Sequence, residues 1–311
     1  MASSIRIANA PCSWGVLEFD LEGQAAGYAQ VLDEIAATGY AGTELGDWGF
    51  MPTEPAALRQ EIHARGLTLL GAFVPVMLKD PQAHAAGIEA ALRTARLLAG
   101  AEGSTPLIVL ADENGKIAPR TQKAGRIQPA DGLSEAEWQV FAEGAEKVAG
   151  AVKAETGLRT VFHHHCAGYV ETPEEIETLL RLTNPALLGL CLDAGHYAFG
   201  GGDQAPLALK AAAVECLRRH SARVWHVHFK DCQPEVAARS RQEGWDYFTS
   251  VRQGVFCELG QGVVDFAALK AELEAGGYQG WIVVEQDVLP GMGRPQESAR
   301  RNRQYLHSLC L

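Results

Sequence analysis

Apolar runs of five to nine residues alternate with longer stretches of helical period along the chain. The runs lie at 5–10 (IRIANA), 41–45 (AGTEL), 67–75 (LTLLGAFVP), 106–111 (PLIVLA), 159–165 (RTVFHHH), 188–193 (LGLCLD), 224–230 (VWHVHFK) and 280–285 (GWIVVE). Runs this short and this apolar read as strands buried on both faces. Between them, apolar residues recur at helical spacing over 25–39, 54–66, 82–100, 135–157, 172–183, 206–220, 266–277 and 296–309. Several of these stretches reach a glycine (Gly39, Gly66, Gly100, Gly157, Gly276), the residue that ends helices most readily.

Strand then helix, eight times over, requires a parallel sheet. Eight such units in 311 residues match a closed (β/α)8 TIM barrel of the α/β class. A doubly wound open sheet normally carries a glycine-rich phosphate turn after its first strand, and neither GxGxxG nor GxxxxGKS occurs. The expectation is one barrel domain over residues 1–311. Residues 232–262 form an insertion too long for a simple connection, and its Trp245, Tyr247 and Phe248 suggest a lid.

Four runs end in metal-ligand residue types: His163 to His165, Asp193 followed by His196, His226 with His228, and Glu285. In a barrel, the carboxyl ends of all strands face one mouth, so these side chains converge. Alternation along VWHVHFKD puts His226, His228 and Lys230 on the inner face and turns Trp225, Val227 and Phe229 to the helices. The same parity separates His163 and His165 from His164. A single histidine at a strand end is most often a hydrogen-bonded core residue, the reading kept for His164 and for a deeper-lying His226. Four separate strand ends are harder to explain that way, because buried carboxylates and imidazoles are costly unless paired or metal-bound. The predicted ligands are His163, Asp193, His228 and Glu285. Two imidazoles and two carboxylates suit Mn²⁺ or Co²⁺, with Zn²⁺, Fe²⁺ and Mg²⁺ as other candidates.

Charge narrows the partners. A formal net charge of -11 and a pI near 5.4 oppose nucleic acid, whose binding depends on Lys and Arg neutralising phosphates. No apolar stretch of about 18 residues predicts a membrane span, and MASSIRIANAP lacks a signal-peptide core, so the expected location is cytoplasmic. The seven cysteines include no CxxC pair and read as reduced, mostly buried thiols, Cys12 and Cys191 among them.

The motifs HHHCAGYVETPEEI, GLCLDAGHYAFGGGD, RVWHVHFKD and GYQGWIVVEQD, with AGTELGDWGFMPTEP upstream, resemble the xylose-isomerase-like barrel superfamily, and within it the inosose dehydratase branch. The resemblance runs over about residues 40–290. It implies that Asp193, His228 and Glu285 bind metal and that His196 supports a ligand or contacts substrate. His163 stands where many members carry a glutamate, and NAPCSWGVLEF departs from the usual first-strand sequence. The implied activity is a metal-dependent dehydratase that acts on a keto-inositol (inosose) or similar keto-polyol through an enediolate.

Dehydration needs a base and an acid beside the metal. Glu44, at the end of the second run, is a candidate acid or base, with a helix-capping or loop carboxylate as the alternative. His165 and His196 compete for the other role, and Lys230 is placed to hold a developing enolate oxygen. Trp14 and Trp48, each beside a glycine, are candidate walls for a sugar ring, or ordinary packing residues. The rival function is a sugar or hydroxy-keto-acid isomerase or epimerase using the same first step. An endonuclease-IV-like phosphodiesterase is disfavoured by the net charge of -11. A homodimer or homotetramer is expected, since such barrels often associate.

Overall fold

The computed structural model describes residues 5–15, 26–103, 106–202, 206–288 and 292–311. Residues 16–19 of NAPCSWGVLEF and Asp203 of GLCLDAGHYAFGGGD lie outside them.

The predicted runs form strands β1 (Arg6–Asn9), β2 (Gly42–Thr43), β3 (Thr68–Leu69), β4 (Gly71–Pro75), β5 (Leu107–Ala111), β6 (Arg159–His163), β7 (Leu188–Asp193), β8 (Val224–Phe229) and β11 (Trp281–Val284). They pair in parallel in the order β3-β2-β1-β11-β8-β7-β6-β5-β4. The run at 67–75 is thus two segments on either side of Leu70. Leu45 N donates to Gly71 O and Leu107 N to Leu70 O, both at 2.9 Å, so the hydrogen-bond ladder carries through this break and closes the ring. Nine segments make eight staves.

Helices α1 (Tyr28–Ala37), α2 (Pro55–His63), α3 (His84–Glu102), α5 (Glu135–Thr156), α6 (Pro173–Leu182), α8 (Pro206–Arg219), α11 (Phe266–Ala275) and α12 (Pro295–Ser308) match the eight helical stretches. Their starts are written in the sequence: Ser134 with Glu137 and Thr172 with Glu175 form reciprocal capping boxes on α5 and α6. Gly157 ends α5 at φ 75°. Gly100 corrects the expectation. The third helix runs through it to Gly103, and a Cβ at Gly100 would lie 2.9 Å from Pro55, so this glycine permits close packing of α2 and is no terminator.

Ile108, Leu110, Phe162, Leu190, Leu192, Val227 and Phe229 belong to the main core between strands and helices. Val109, Val161 and Cys191, of the opposite parity, form a smaller cluster against which Trp225 packs. Trp225 was expected to face the helices. A register irregularity at Leu190/Cys191 pairs Leu190 with Val224 and Cys191 with His226, so Trp225 is the extra residue of a bulge and covers Gly189.

The insertion at 232–262 is folded. Strands β9 (Asp231–Cys232) and β10 (Phe256–Cys257) pair antiparallel and enclose helices α9 (Pro234–Glu243) and α10 (Tyr247–Arg252). Two short helices, α4 (Ala118–Lys123) and α7 (Ala194–Gly200), complete the described α-helices. The insertion docks on the segment after β5: Phe248 lies against Gly115, at φ +77°, and Arg126 donates to Trp245 O at 2.7 Å. No described helix is long and apolar enough to cross a membrane.

Candidate active site

Alternation on β8 places the site. Buried His226, His228 and Lys230 point into the barrel while Val227 and Phe229 enter the outer core. Asp193 ends β7 and also caps α7, because its Oδ1 accepts from His196 N at 2.7 Å. That leaves Oδ2 for the barrel mouth, 3.8 Å from His163 Nε2 and 3.9 Å from His228 Nδ1. Glu285, the first residue after β11, brings Oε1 to 3.2 Å from His228 Nδ1. His163, Asp193, His228 and Glu285 therefore each offer a ligand atom within 4.8 Å of the others.

These residues fit a divalent cation. Asp193 Oδ2 and His228 Nδ1 are buried without a hydrogen-bond partner, and leaving such groups unsatisfied costs about 1–3 kcal/mol each. A cation accepting both lone pairs removes that cost. Cys191, read from the sequence as core, is buried in the barrel but also lies within ligand distance of His163 and His228.

Around this group, each remaining polar side chain has a definite partner. Glu44 Oε1 lies 2.7 Å from His226 Nε2 and 3.1 Å from His228 Nε2. Burial would raise the Glu44 carboxyl, but His228 and His226 together hold it well below the usual carboxylate range. His164 faces away and accepts from Asp193 N at 3.1 Å, beside the Tyr197 ring. Lys230 Nζ sits 3.2 Å from Glu285 Oε2, 3.2 Å from His196 Nε2 and 3.5 Å from Asp287 Oδ2. Burial would discharge this lysine, yet Asp287, Glu285 and Asp193 outweigh it and keep the ammonium charged. His165 Nδ1 lies 2.5 Å from Cys166 O, which can only accept, so the proton is on Nδ1 and Nε2 carries the lone pair. Burial and the Lys230 charge push His165 down to about 3, so its ring is neutral at neutral pH.

A cavity that opens at the barrel mouth lies over this group. Glu44, His163, His165, Lys230 and Glu285 line it, together with Cys12, Asp47, Phe73, Tyr247 and Asp287. Of these, Asp287 was legible in principle, since it shares the parity of Glu285 in EQD. The two candidate tryptophan walls do not line the cavity. Trp14 is buried in the outer core and donates through Nε1 to Glu34 at 2.6 Å. Trp48 is 38% exposed and stacks under the Arg93 guanidinium at 4.1 Å. The glycine beside each tryptophan shapes a turn and does not aim an indole inward.

The comparisons with known proteins agree with this architecture. The chain is 31% identical over 308 residues to an inosose dehydratase of Geobacillus kaustophilus (strain HTA426), covering 98% of this chain and 94% of the relative. It is 31% identical over 307 residues to an inosose dehydratase of Salmonella typhimurium, covering 98% and 96%. Among solved structures, an L-ribulose 3-epimerase superposes with a TM-score of 0.66 at 15% identity over 98% of this chain and 94% of the other, a likeness of fold alone. The sequence pattern of the xylose isomerase-like TIM barrel family matches residues 32–309. With the closed parallel barrel and the full-length match to inosose dehydratases, the chain belongs to the xylose isomerase-like TIM barrel family.

Proposed function

We propose that the chain is a metal-dependent dehydratase, a carbon-oxygen lyase that removes water from a keto-inositol or a similar uncharged keto-polyol through an enediolate. The observation that carries this reading is the convergence of His163, Asp193, His228 and Glu285 from four strand ends beside Lys230, in a chain with full-length inosose dehydratase relatives. Those four side chains would hold the cation, and their two imidazoles and two carboxylates favour Mn²⁺ or Co²⁺ over Ca²⁺. When bound, it supplies a Lewis acid for the substrate carbonyl and its adjacent hydroxyl.

The chain's own groups do the rest. Lys230 puts a fixed positive charge beside the site where the carbonyl oxygen gains negative charge, and it arrives already oriented by Glu285 and Asp287. His165 Nε2, an unprotonated nitrogen facing the cavity, takes the proton from the neighbouring carbon. Glu44 and His196 act through the residues they touch: Glu44 fixes His228, and His196 braces Lys230.

An uncharged substrate follows from the lining. Among the described residues around the cavity, Glu44, Asp47, Glu285 and Asp287 face a single ammonium, Lys230. Even with a divalent cation bound, these carboxylates together with Asp193 would outnumber the positive charges, leaving no surplus to hold a phosphate or carboxylate.

The test is incubation of Mn²⁺- or Co²⁺-loaded protein with 2-keto-myo-inositol in D₂O, followed by NMR and mass spectrometry. Loss of water with formation of a diketone is the expected result. Deuterium uptake without water loss would make the chain an epimerase or isomerase.

A further inference from the structure

We propose that Tyr247, carried by the inserted roof and not by the barrel, donates the proton to the hydroxyl that leaves as water. The inference rests on the dehydratase reading above and adds the one participant that reading lacks, an acid.

The geometry singles this residue out. Tyr247 is the first residue of α10, yet it is buried and lines the cavity that the barrel side chains line from below. Its Oη lies 3.4 Å from His165 Nε2, at the long limit of a hydrogen bond, so a substrate oxygen can approach beside them and compete for this weak contact. The roof holds the phenol there. Asp246 caps α10 through Thr249 N at 2.7 Å, Ser240 Oγ and Ser250 Oγ lie 2.6 Å apart, and Phe248 is pressed on Gly115.

The neighbouring groups are committed elsewhere. Glu44 Oε1 is held by two histidines, Lys230 by Glu285 and Asp287, and His165 keeps its proton on the far nitrogen, against Cys166 O. A phenol keeps its proton at neutral pH and can still release it to an oxygen that is becoming hydroxide.

The step balances. The enediolate electrons re-form the carbonyl and make a new carbon–carbon double bond as the C–O bond breaks with both its electrons going to oxygen; the O–H proton of Tyr247 moves to that oxygen, and water leaves. The phenolate regains a proton from solvent when product departs, while the base returns to solvent the proton it removed from carbon. Neither an oxidant nor a reductant is needed.

The experiment compares wild-type and Tyr247→Phe protein, both Mn²⁺-loaded, on 2-keto-myo-inositol and on its analogue with fluorine in place of the departing hydroxyl. Fluoride leaves without a proton. The expected result is that Tyr247→Phe loses about 10²- to 10³-fold in water release and keeps fluoride release within about fivefold of wild type. It also keeps wild-type deuterium exchange at the neighbouring carbon. Equal losses on both substrates would mean that the phenol only supports the roof, and an unchanged rate of water release would remove it from the reaction; either overturns the proposal. A wild-type protein that exchanges deuterium but loses neither water nor fluoride would instead overturn the dehydratase reading, and this proposal with it.

Discussion

Glu44 Oε1 lies 3.1 Å from His228 Nε2, and this contact decides which nitrogen of the ring is left for a cation. An ionised carboxylate only accepts, so Nε2 carries a hydrogen, and Nδ1, 3.2 Å from Glu285 and 3.9 Å from Asp193, is the nitrogen turned toward the acidic group. Glu44 is thereby better suited to orient a ligand than to act as acid or base. Replacing the carboxylate with Gln weakens this hold without emptying the space. Glu44→Gln should lower Mn²⁺ affinity about 10- to 100-fold with the stoichiometry unchanged, read by calorimetric titration. An unaltered affinity would return Glu44 to the acid–base role.

Asp231, the last residue of the HVHFKD motif, serves the roof. Its carboxylate accepts from Cys232 N, Gly260 N and Gly262 N at 2.9 Å and from Val264 N at 3.1 Å, gathering both ends of the insertion at the base of the β9–β10 pair. An amide in its place turns an NH₂ toward backbone donors. Asp231→Asn should cost about 1–3 kcal/mol and speed hydrogen exchange across residues 231–264 far more than in the barrel strands. Uniform exchange, unchanged in the roof, would show that the roof is held by its apolar contacts alone.

The residues show where sequence reading runs out. The apolar runs mark the staves because buried parallel strands need no polar partner, and the two-residue alternation on β8 separates inward His228 from outward Phe229. Period alone cannot reveal the break at Leu70 or the bulge that swings Trp225 inward, since both depend on how neighbouring strands register. The pairing of Glu44 with His226 spans 182 positions and exists only once the ring has closed. Tyr247 was visible as an aromatic in a suspected lid, but its approach to His165 depends on the fold of the roof.

Beneath the roof, Glu171 ties two loops together: Oε1 accepts from Gly125 N at 2.7 Å and Oε2 from Ala167 N at 2.9 Å. Ala167 has φ 70°, a left-handed conformation that a non-glycine residue adopts at a cost, so this bond helps to hold a strained turn just beyond His165. Burial pushes Glu171 up to about 7, against the pull of Arg120 and both backbone donors. The folded state therefore binds a proton that the unfolded chain releases near the ordinary glutamate value of about 4.3. Stability from this group is fully present below that value and is lost as pH rises through about 7. Urea unfolding at intervals from pH 4.5 to 7.5 should show this fall, and Glu171→Gln should flatten it while lowering stability overall. The same slope in wild type and variant would assign the pH dependence to other groups.

Lys230 carries the charge argument to its test. With Nζ held by Glu285, His196 and Asp287 and packed 4.8 Å from the Phe256 ring, its ammonium needs no rearrangement to meet a developing oxyanion. Lys230→Met preserves the stem but sets Glu285 and Asp287 against each other, so the variant is paired with Lys230→Met/Asp287→Asn, which relieves that repulsion. If the charge acts on the enolate oxygen, both variants should bind Mn²⁺ and lose about 10²- to 10³-fold in deuterium exchange at the carbon next to the ketone, with KM changing far less than kcat. If the lysine serves only to balance Asp287, the double variant should recover exchange to near the wild-type rate, and the positive charge would then belong to the architecture of the site and not to its chemistry.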